Sequence, residues 1–328
     1  MSIRVSVIGA RGYTGSELLP LLYNHPGVEI SAVASSSAAG DPLGDHVDGM
    51  EDSELRFVDI QPENLARFAA DAYILALPNG QAGDYVAAVD RHFPDSVVID
   101  LSADYRFDDQ WQYGQPERFA SVLKGARRIA NPGCYATGAQ LALLPVVGKL
   151  VGVPVVFGVS GYSGAGKTPS RKNDLAALKD NLMPYSLADH VHEREVSRQL
   201  GRDIRFLPHV APFFRGITLT IAAELDGSTT AAELLDLYQN AYRGFELIDV
   251  QVDPPEVTEV RGRHGVKMGG FTVSKSDPRR IAVVCVLDNL LKGAATQAVQ
   301  NLNLAFGLAP ETGLDQKTFT SRVTGANG

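Results

Sequence analysis

The sequence predicts an α/β fold: a Rossmann-type doubly wound domain followed by an α+β domain built on a mixed sheet. Three observations predict it. Short β-branched runs alternate with helical patterns up to about residue 150. A glycine-rich turn, "VIGARGYTGSELL", joins the first strand to the first helix. Beyond that point strands follow one another with few helices between them, the mark of a mixed sheet.

In order along the chain, "IRVSVIG" is a β-branched strand closed by glycine, and "GSELLPLLYNH" carries leucines at helical spacing. "VEISAVAS" is a second strand. "DAYILALPNG" is an apolar strand stopped by a Pro-Asn-Gly turn, "QAGDYVAAVDRHF" returns to helical periodicity, and "DSVVIDLSA" is a buried-type strand. "NPGC" then opens the helical pattern "YATGAQLALLPVV". The strands of the second half are "VPVVFGVSGYSGAG", "IRFLPHVAP", "GITLTIAAEL", "LIDVQV", "GGFTVSK" and "RRIAVVCVLD". Among them "TAAELLDLYQNAYRG" is a helix whose Thr-Ala-Ala-Glu start resembles a capping box. "LLKGAATQAVQNLNLAFG" has the pattern of an amphipathic closing helix. The expected division is a dinucleotide-binding domain at 1–138, completed by about 295–328, and a catalytic, substrate and oligomerisation domain at 139–294.

Two domains suit 328 residues, which exceed what one core comfortably supports. Hydrophobic content of 45% and charged content of 21% are those of an ordinary globular protein. A net charge of −8 argues against a nucleic-acid partner, so any anionic ligand must be held by local cations or backbone N–H groups. The two cysteines, Cys134 and Cys285, make no disulfide framework and no zinc-ligand spacing, so no metal is expected and a cytoplasmic setting fits. The N-terminal apolar run is too short for a signal peptide and reads as a strand. The most apolar stretch is broken by Pro145, Lys149 and Pro154, short of the roughly 20 uninterrupted residues a membrane span needs.

Gly9, Gly12 and Gly15 stand between strand and helix as G-x-x-G-x-x-G, not as the G-x-G-x-x-G fingerprint. The strand–turn–helix position points to a pyrophosphate held on a helix N-terminus; a purely structural tight turn is the alternative. The second strand ends at Ser35, Ser36 and Ser37 with no carboxylate, and Arg11 lies in the turn. Hydroxyls without a repelling acid favour a 2′-phosphate, hence NADP over NAD.

Cys134 falls at a predicted helix start, where the helix dipole and free N–H groups are expected to lower its pKa and to hold an oxyanion. Cys285, inside an apolar strand, is a small buried hydrophobe. A nucleophilic thiol needs an acid/base partner, and "DHVHEREVS" offers His190, His192, Glu193 and Glu195. On a helix starting near His192, Glu195 sits one turn on, placed to orient a ring or a substrate amine; a solvated helix start is the alternative.

"GARGYTGSELL", "LSADYR", "YGQPE", "NPGCYATG", "SGYSGAGK", "HVHERE", "PHVAPFFRGI" and "LKGAATQAVQNLN" occur in the order found in N-acetyl-γ-glutamyl-phosphate reductases. These are the arginine-biosynthesis members of the semialdehyde dehydrogenase group, and the chain resembles them over nearly its whole length. "NPGCYATG" after "DYR" and "YGQPE" is specific to that family, whereas aspartate-semialdehyde dehydrogenases have different flanks around the cysteine. The resemblance implies a nucleophile at Cys134, an acid/base at His192 and an anion-binding Arg106. It implies NADP contacts from Gly12, Tyr13, Thr14 and Gly15, from Ser35–Ser37, from Leu77, Pro78 and Asn79, and from Ser163, Gly164, Ala165 and Gly166. Asn289 would lie near the nicotinamide.

Around these, Lys167 suits a phosphate, and Arg215 in "FFRGI" is either a substrate contact or a packed stem. Arg106 read alone is equally an ion-pair partner for Asp104 or Asp108. "HVHEREV" and "GRHGVKMGGF" depart from the commoner bacterial pattern and are similar to forms fused to a kinase in fungi. His190 and His264 stay open on that account, with acetylglutamate kinase as a candidate partner. The implied reaction is NADPH-dependent reductive dephosphorylation of N-acetylglutamyl phosphate through a cysteine thioester, by a homo-oligomer. The same chemistry on aspartyl phosphate or a carrier-linked acyl phosphate, and a non-catalytic NADP-sensing module, are the alternatives.

Overall fold

The structure is a computed structural model and describes residues 2–314. Its first sheet contains β1 (Ile3–Ile8), β2 (Val28–Ala34), β3 (Phe57–Val58), β4 (Ala72–Leu75), β5 (Val97–Asp100), β6 (Gln112–Tyr113) and β7 (Arg128–Ala130). All pairings are parallel, in the order β3-β2-β1-β4-β5-β7-β6. Parallel strands need crossovers, and α1 (Tyr13–Tyr23), α2 (Ala82–His92) and α3 (Pro116–Leu123) supply three of them. Val5, Val7, Ile74 and Ile99 pack against Leu18, Leu19 and Leu22 of α1. Ile8, Leu75 and Val98 face the other way, onto Val86 and Val89 of α2. Burial on both faces is why β4 and β5 read as unbroken apolar runs.

The second sheet is mixed: β8 (Leu150–Gly161), β9 (Met183–Pro184), β10 (Arg205–Ala211), β11 (Ile217–Leu225), β12 (Ile248–Val250), β13 (Val266–Val273) and β14 (Arg280–Leu287), ordered β12-β13-β14-β11-β8-β10-β9. Between and after these strands run α4 (Cys134–Leu143), α5 (Leu175–Leu178), α6 (Val191–Leu200), α7 (Ala231–Ala241) and α8 (Thr296–Ala305), α4 preceding β8. Tyr135 and Ala139 of α4, Val196 of α6 and Leu234 and Tyr238 of α7 cover one face, against Phe206, Leu219, Val283 and Leu287. The other face carries exposed Val151, Val153 and Phe157. The capping box of α7 is present: Thr230 Oγ1 accepts from Glu233 N–H at 3.2 Å, and the Glu233 carboxylate accepts from Thr230 N–H at 2.8 Å.

The closing helix differs from the expected amphipathic one. After a single π-type turn at Leu291–Ala295, every residue of α8 is buried. Ala298, Val299 and Leu302 meet the core of the parallel sheet, and Gln297 donates to Thr137 Oγ1 on α4 at 3.0 Å. The helix is thus wedged between the two halves, and the side-chain N–H groups of its polar side are met by protein instead of water, while Gln297 Oε1 and Asn301 Oδ1 are buried without a partner among the described residues. Asn301 donates to Gly114 O and Asn131 Oδ1, both at 2.9 Å, and Asn303 to Pro310 O and Thr312 O. Residues 315–328 of the expected C-terminal return lie outside the described residues.

Lys292, in the π-type turn, is fully buried with Nζ 2.5 Å from Glu117 Oε1 and 2.5 Å from Gln300 Oε1. Removing one member of a buried pair leaves an uncompensated charge. Lys292→Met is therefore expected to destabilise by about 3–5 kcal/mol in chemical denaturation, with Glu117→Leu in the same chain restoring most of the loss. A single variant within about 0.5 kcal/mol of the parent would contradict a charged buried pair.

Candidate active site

Strand order reverses between β1 and β4, and in open α/β sheets ligands bind beyond the carboxyl ends of the strands at that point. Gly9 closes β1 with φ of 84°, and a Cβ there would lie 2.6 Å from Ala76 O on the neighbouring strand end, so only glycine lets the two approach. A cleft of about 550 Å³ opens here. It is lined by Gly9, Gly12, Tyr13, Thr14 and Gly15, by Leu77, Pro78 and Asn79, by Ser163, Gly164, Ala165 and Gly166, and by Asn289. Helix α1 begins at Gly12 with no side-chain cap, which leaves its first N–H groups free for an anion.

Arg11, Ser35, Ser36 and Ser37 lie outside that lining but together: Arg11 Nη1 donates to Ser37 Oγ at 2.8 Å. Lys167 lines the same cleft, 5.2 Å from the Tyr13 ring centroid; burial and then Arg11 push its pKa down. Lys167 thus stands beside the glycine turn, in the lining that also holds Arg106, Cys134 and His192. Asn289 accepts from Gly216 N–H at 2.7 Å and donates to Ser163 Oγ at 2.9 Å, pinning the Ser163–Gly166 loop. An uncapped helix start, a glycine turn, paired cations and a strand end without a carboxylate fit a phosphorylated dinucleotide.

Cys134 is the first residue of α4, with Gly133 as an N-cap that has no side-chain hydrogen bond. His192 comes from α6, which starts one residue earlier. A Cβ on Gly133 would overlap His192 Nε2 and lie 2.7 Å from Arg106 Nη1, so the glycine before the cysteine is what admits the ring. His192 Nδ1 is buried without a hydrogen-bond partner among the described residues. Burial, then the Arg106 and His190 charges, hold the His192 pKa well below the usual imidazole range, so the ring is neutral. A second cavity of about 250 Å³ adjoins the cleft, and Cys134, His192, Asn79, Gly164, Ala165 and Val191 line both. His190, the N-cap of α6, lines only the smaller one and accepts from His192 N–H at 3.1 Å through Nδ1.

Three expectations are corrected. The Cys134 thiol is not lowered: burial pushes it up to about 11, against the opposing pull of the Tyr135 N–H and Arg106. The dipole argument omitted the cost of desolvating a thiolate. Glu195 does not face substrate. It is fully buried, accepting from Tyr113 Oη at 2.7 Å, Gly133 N–H at 2.9 Å and Arg106 Nη1 at 3.1 Å. Arg215 is also taken: Nε lies 2.6 Å from Asp288 and Nη1 2.8 Å from Glu17, and it lines neither cavity. Arg106 does line the cleft, with Nε and Nη2 donating to Asn131 O and Leu101 O. Tyr113, Lys172 and Tyr185 carry no sequence signal; the first completes the Glu195 cluster and the others line the smaller cavity.

Fold and site define a nicotinamide-dependent dehydrogenase with a thiol where its two halves meet. Two family models match, the semialdehyde dehydrogenase NAD binding domain over residues 4–126 and the semialdehyde dehydrogenase dimerisation domain over residues 134–289. N-acetyl-gamma-glutamyl-phosphate reductase of Stenotrophomonas maltophilia is 51% identical, covering 93% of this chain and 95% of its own. That of Xanthomonas campestris is 52% identical, covering 92% and 95%. Among solved structures, aspartate semialdehyde dehydrogenase II from Vibrio cholerae has a TM-score of 0.76 at 19% identity over 93% of this chain and 98% of that one, a likeness of fold. The chain belongs to the N-acetyl-γ-glutamyl-phosphate reductase family of semialdehyde dehydrogenases.

Among the described residues no group of three or more His, Cys, Asp or Glu side chains is placed to hold a metal, and no helix is long and apolar enough to cross a membrane. Because the raised thiol pKa means little thiolate at neutral pH, alkylation of Cys134 by iodoacetamide should speed up continuously with pH, becoming half-maximal only near pH 11. A rate that levels off below about pH 8 would show a resting thiolate and contradict this.

Proposed function

We propose that the chain reduces N-acetyl-L-glutamyl 5-phosphate to N-acetyl-L-glutamate 5-semialdehyde with NADPH, releasing phosphate. The observation that carries this is the position of Cys134 and His192 in the wall shared by a dinucleotide cleft and a second, smaller cavity. In this account the Cys134 sulfur attacks the γ-carbonyl carbon, and the S–C bond replaces the C–O bond to phosphate. The thiol proton leaves during attack, since the free thiol is protonated; neutral His192 accepts it and returns it to the departing phosphate. A dinucleotide held by the Gly12–Gly15 turn and the Ser163–Gly166 loop would supply the hydride that reduces the resulting thioester. N–H groups at the start of α4 hold the oxyanion, one good donor being worth roughly 3 kcal/mol. The oxyanion then collapses to the aldehyde as the S–C bond breaks, and the departing Cys134 sulfur regains its proton from solvent through His192.

Residues 1–138 with the C-terminal return are assigned to cofactor binding, and 139–294 to substrate and self-association. Arg11, Ser35, Ser36 and Ser37 are assigned to the 2′-phosphate, and Arg106 to the anionic reacting end. The open face of the mixed sheet, with Val151, Val153 and Phe157 exposed, is the surface proposed for a homo-oligomer, in keeping with the dimerisation-domain match. The cytoplasm is the proposed compartment. The kinase that forms the labile acyl phosphate, acetylglutamate kinase, is the proposed upstream partner.

The reaction run backwards, with N-acetylglutamate semialdehyde, phosphate and NADP, should generate NADPH absorbance. Cys134→Ser should abolish it while leaving NADP affinity within about twofold, and NADPH should bind about 10–100-fold tighter than NADH. Turnover only with aspartate semialdehyde, or a fully active Cys134→Ser, would overturn the assignment.

A further inference from the structure

We propose that Lys172 recognises the fixed carboxylate of the substrate and so selects an α-carboxylated acyl chain; this rests on the reaction assigned above. Two lysines of the segment after β8 face different spaces. Lys167 lines the dinucleotide cleft, whereas Lys172 lines the smaller cavity. Among the described residues, Lys172 is the one side chain of permanent charge in that lining, and no carboxylate shares it. Lys172 is partly buried, and no carboxylate among the described residues lies within ion-pair distance of it. The nearest acid in sequence, Asp174, is spent on capping α5, accepting from Ala176 N–H at 2.9 Å. The ammonium is held instead 4.8 Å from the centroid of the Tyr185 ring.

A partly buried cation without a counter-ion, beside a nucleophile, is a site for an anion. The neighbouring groups leave that charge undiluted. His190, pushed down to about 4 by burial and by Lys172 itself, is neutral at physiological pH. The substrate brings two anionic groups, and geometry separates them. Phosphate leaves from the carbon that Cys134 attacks, so it departs beside the sulfur. The reacting carbonyl must face the dinucleotide cleft, which leaves the acyl chain the smaller cavity to run into. That cavity carries Lys172, Tyr185 and His190 besides the two reacting residues. The carboxylate at the chain's far end is therefore the partner of Lys172.

The test uses the full chain in the reverse direction, with N-acetylglutamate semialdehyde and its α-methyl ester as paired substrates. The parent enzyme should prefer the acid, and Lys172→Met should raise KM for the acid on the order of 10–100-fold while kcat stays within about threefold. The same variant should treat acid and ester alike, and Lys172→Arg should recover most of the preference. NADPH affinity, measured alongside, should not move. Unchanged discrimination between acid and ester in Lys172→Met would overturn the proposal, as would a rise in KM for inorganic phosphate in place of the aldehyde, which would make Lys172 a phosphate ligand. No turnover by the parent enzyme on the acid would instead overturn the reaction itself, and this assignment with it.

Discussion

The site depends on one buried carboxylate. Glu195 is fully enclosed, and an enclosed charge persists only when its lone pairs are met. Its three donors come from separate parts of the chain: Arg106 after β5, Tyr113 in β6 and the Gly133 N–H ahead of α4. Glu195 lies one helical turn after His192, so the two share a face of α6. One carboxylate thus ties the helix that brings the imidazole to the loop that brings the thiol. The same commitment removes Glu195 from substrate recognition.

Around that anchor the halves divide the work. The parallel sheet presents a turn and an uncapped helix start at its switch point, which suits a pyrophosphate. The mixed sheet presents α6 and the Ser163–Gly166 loop. Cys134 and His192 stand in the wall between the two cavities, and both are held neutral at rest by burial. In the proposed reaction, a neutral thiol and a neutral imidazole create no buried charge until a substrate carbonyl arrives to accept the electrons, so reactivity would appear with the substrate and not before it.

Much of this was legible in the sequence where local pattern decides. Strand–helix alternation, the Gly9–Gly15 turn, the Thr230 capping box and the start of a helix at Cys134 all depend on near neighbours in the chain. What was not legible depends on distant partners. The polar residues of α8 looked like a solvated face, yet Gln297 and Asn301 find acceptors more than a hundred residues away. Arg215 reads as a substrate contact or a packed stem, and its ion pairs were not legible because Glu17 and Asp288 are far from it in sequence. The Cys134 environment was misjudged because a dipole can be read from a helix start, whereas desolvation requires knowing what covers it.

The central claim is that Cys134 carries the acyl group. Mixing the enzyme with freshly made N-acetylglutamyl phosphate in the absence of any nicotinamide cofactor, then weighing intact protein and its peptides by mass spectrometry, tests it directly. The account predicts one N-acetylglutamyl adduct per chain, on the Cys134 peptide, removed by hydroxylamine. An unmodified Cys134 under conditions that support turnover, or an adduct on Cys285, would contradict it.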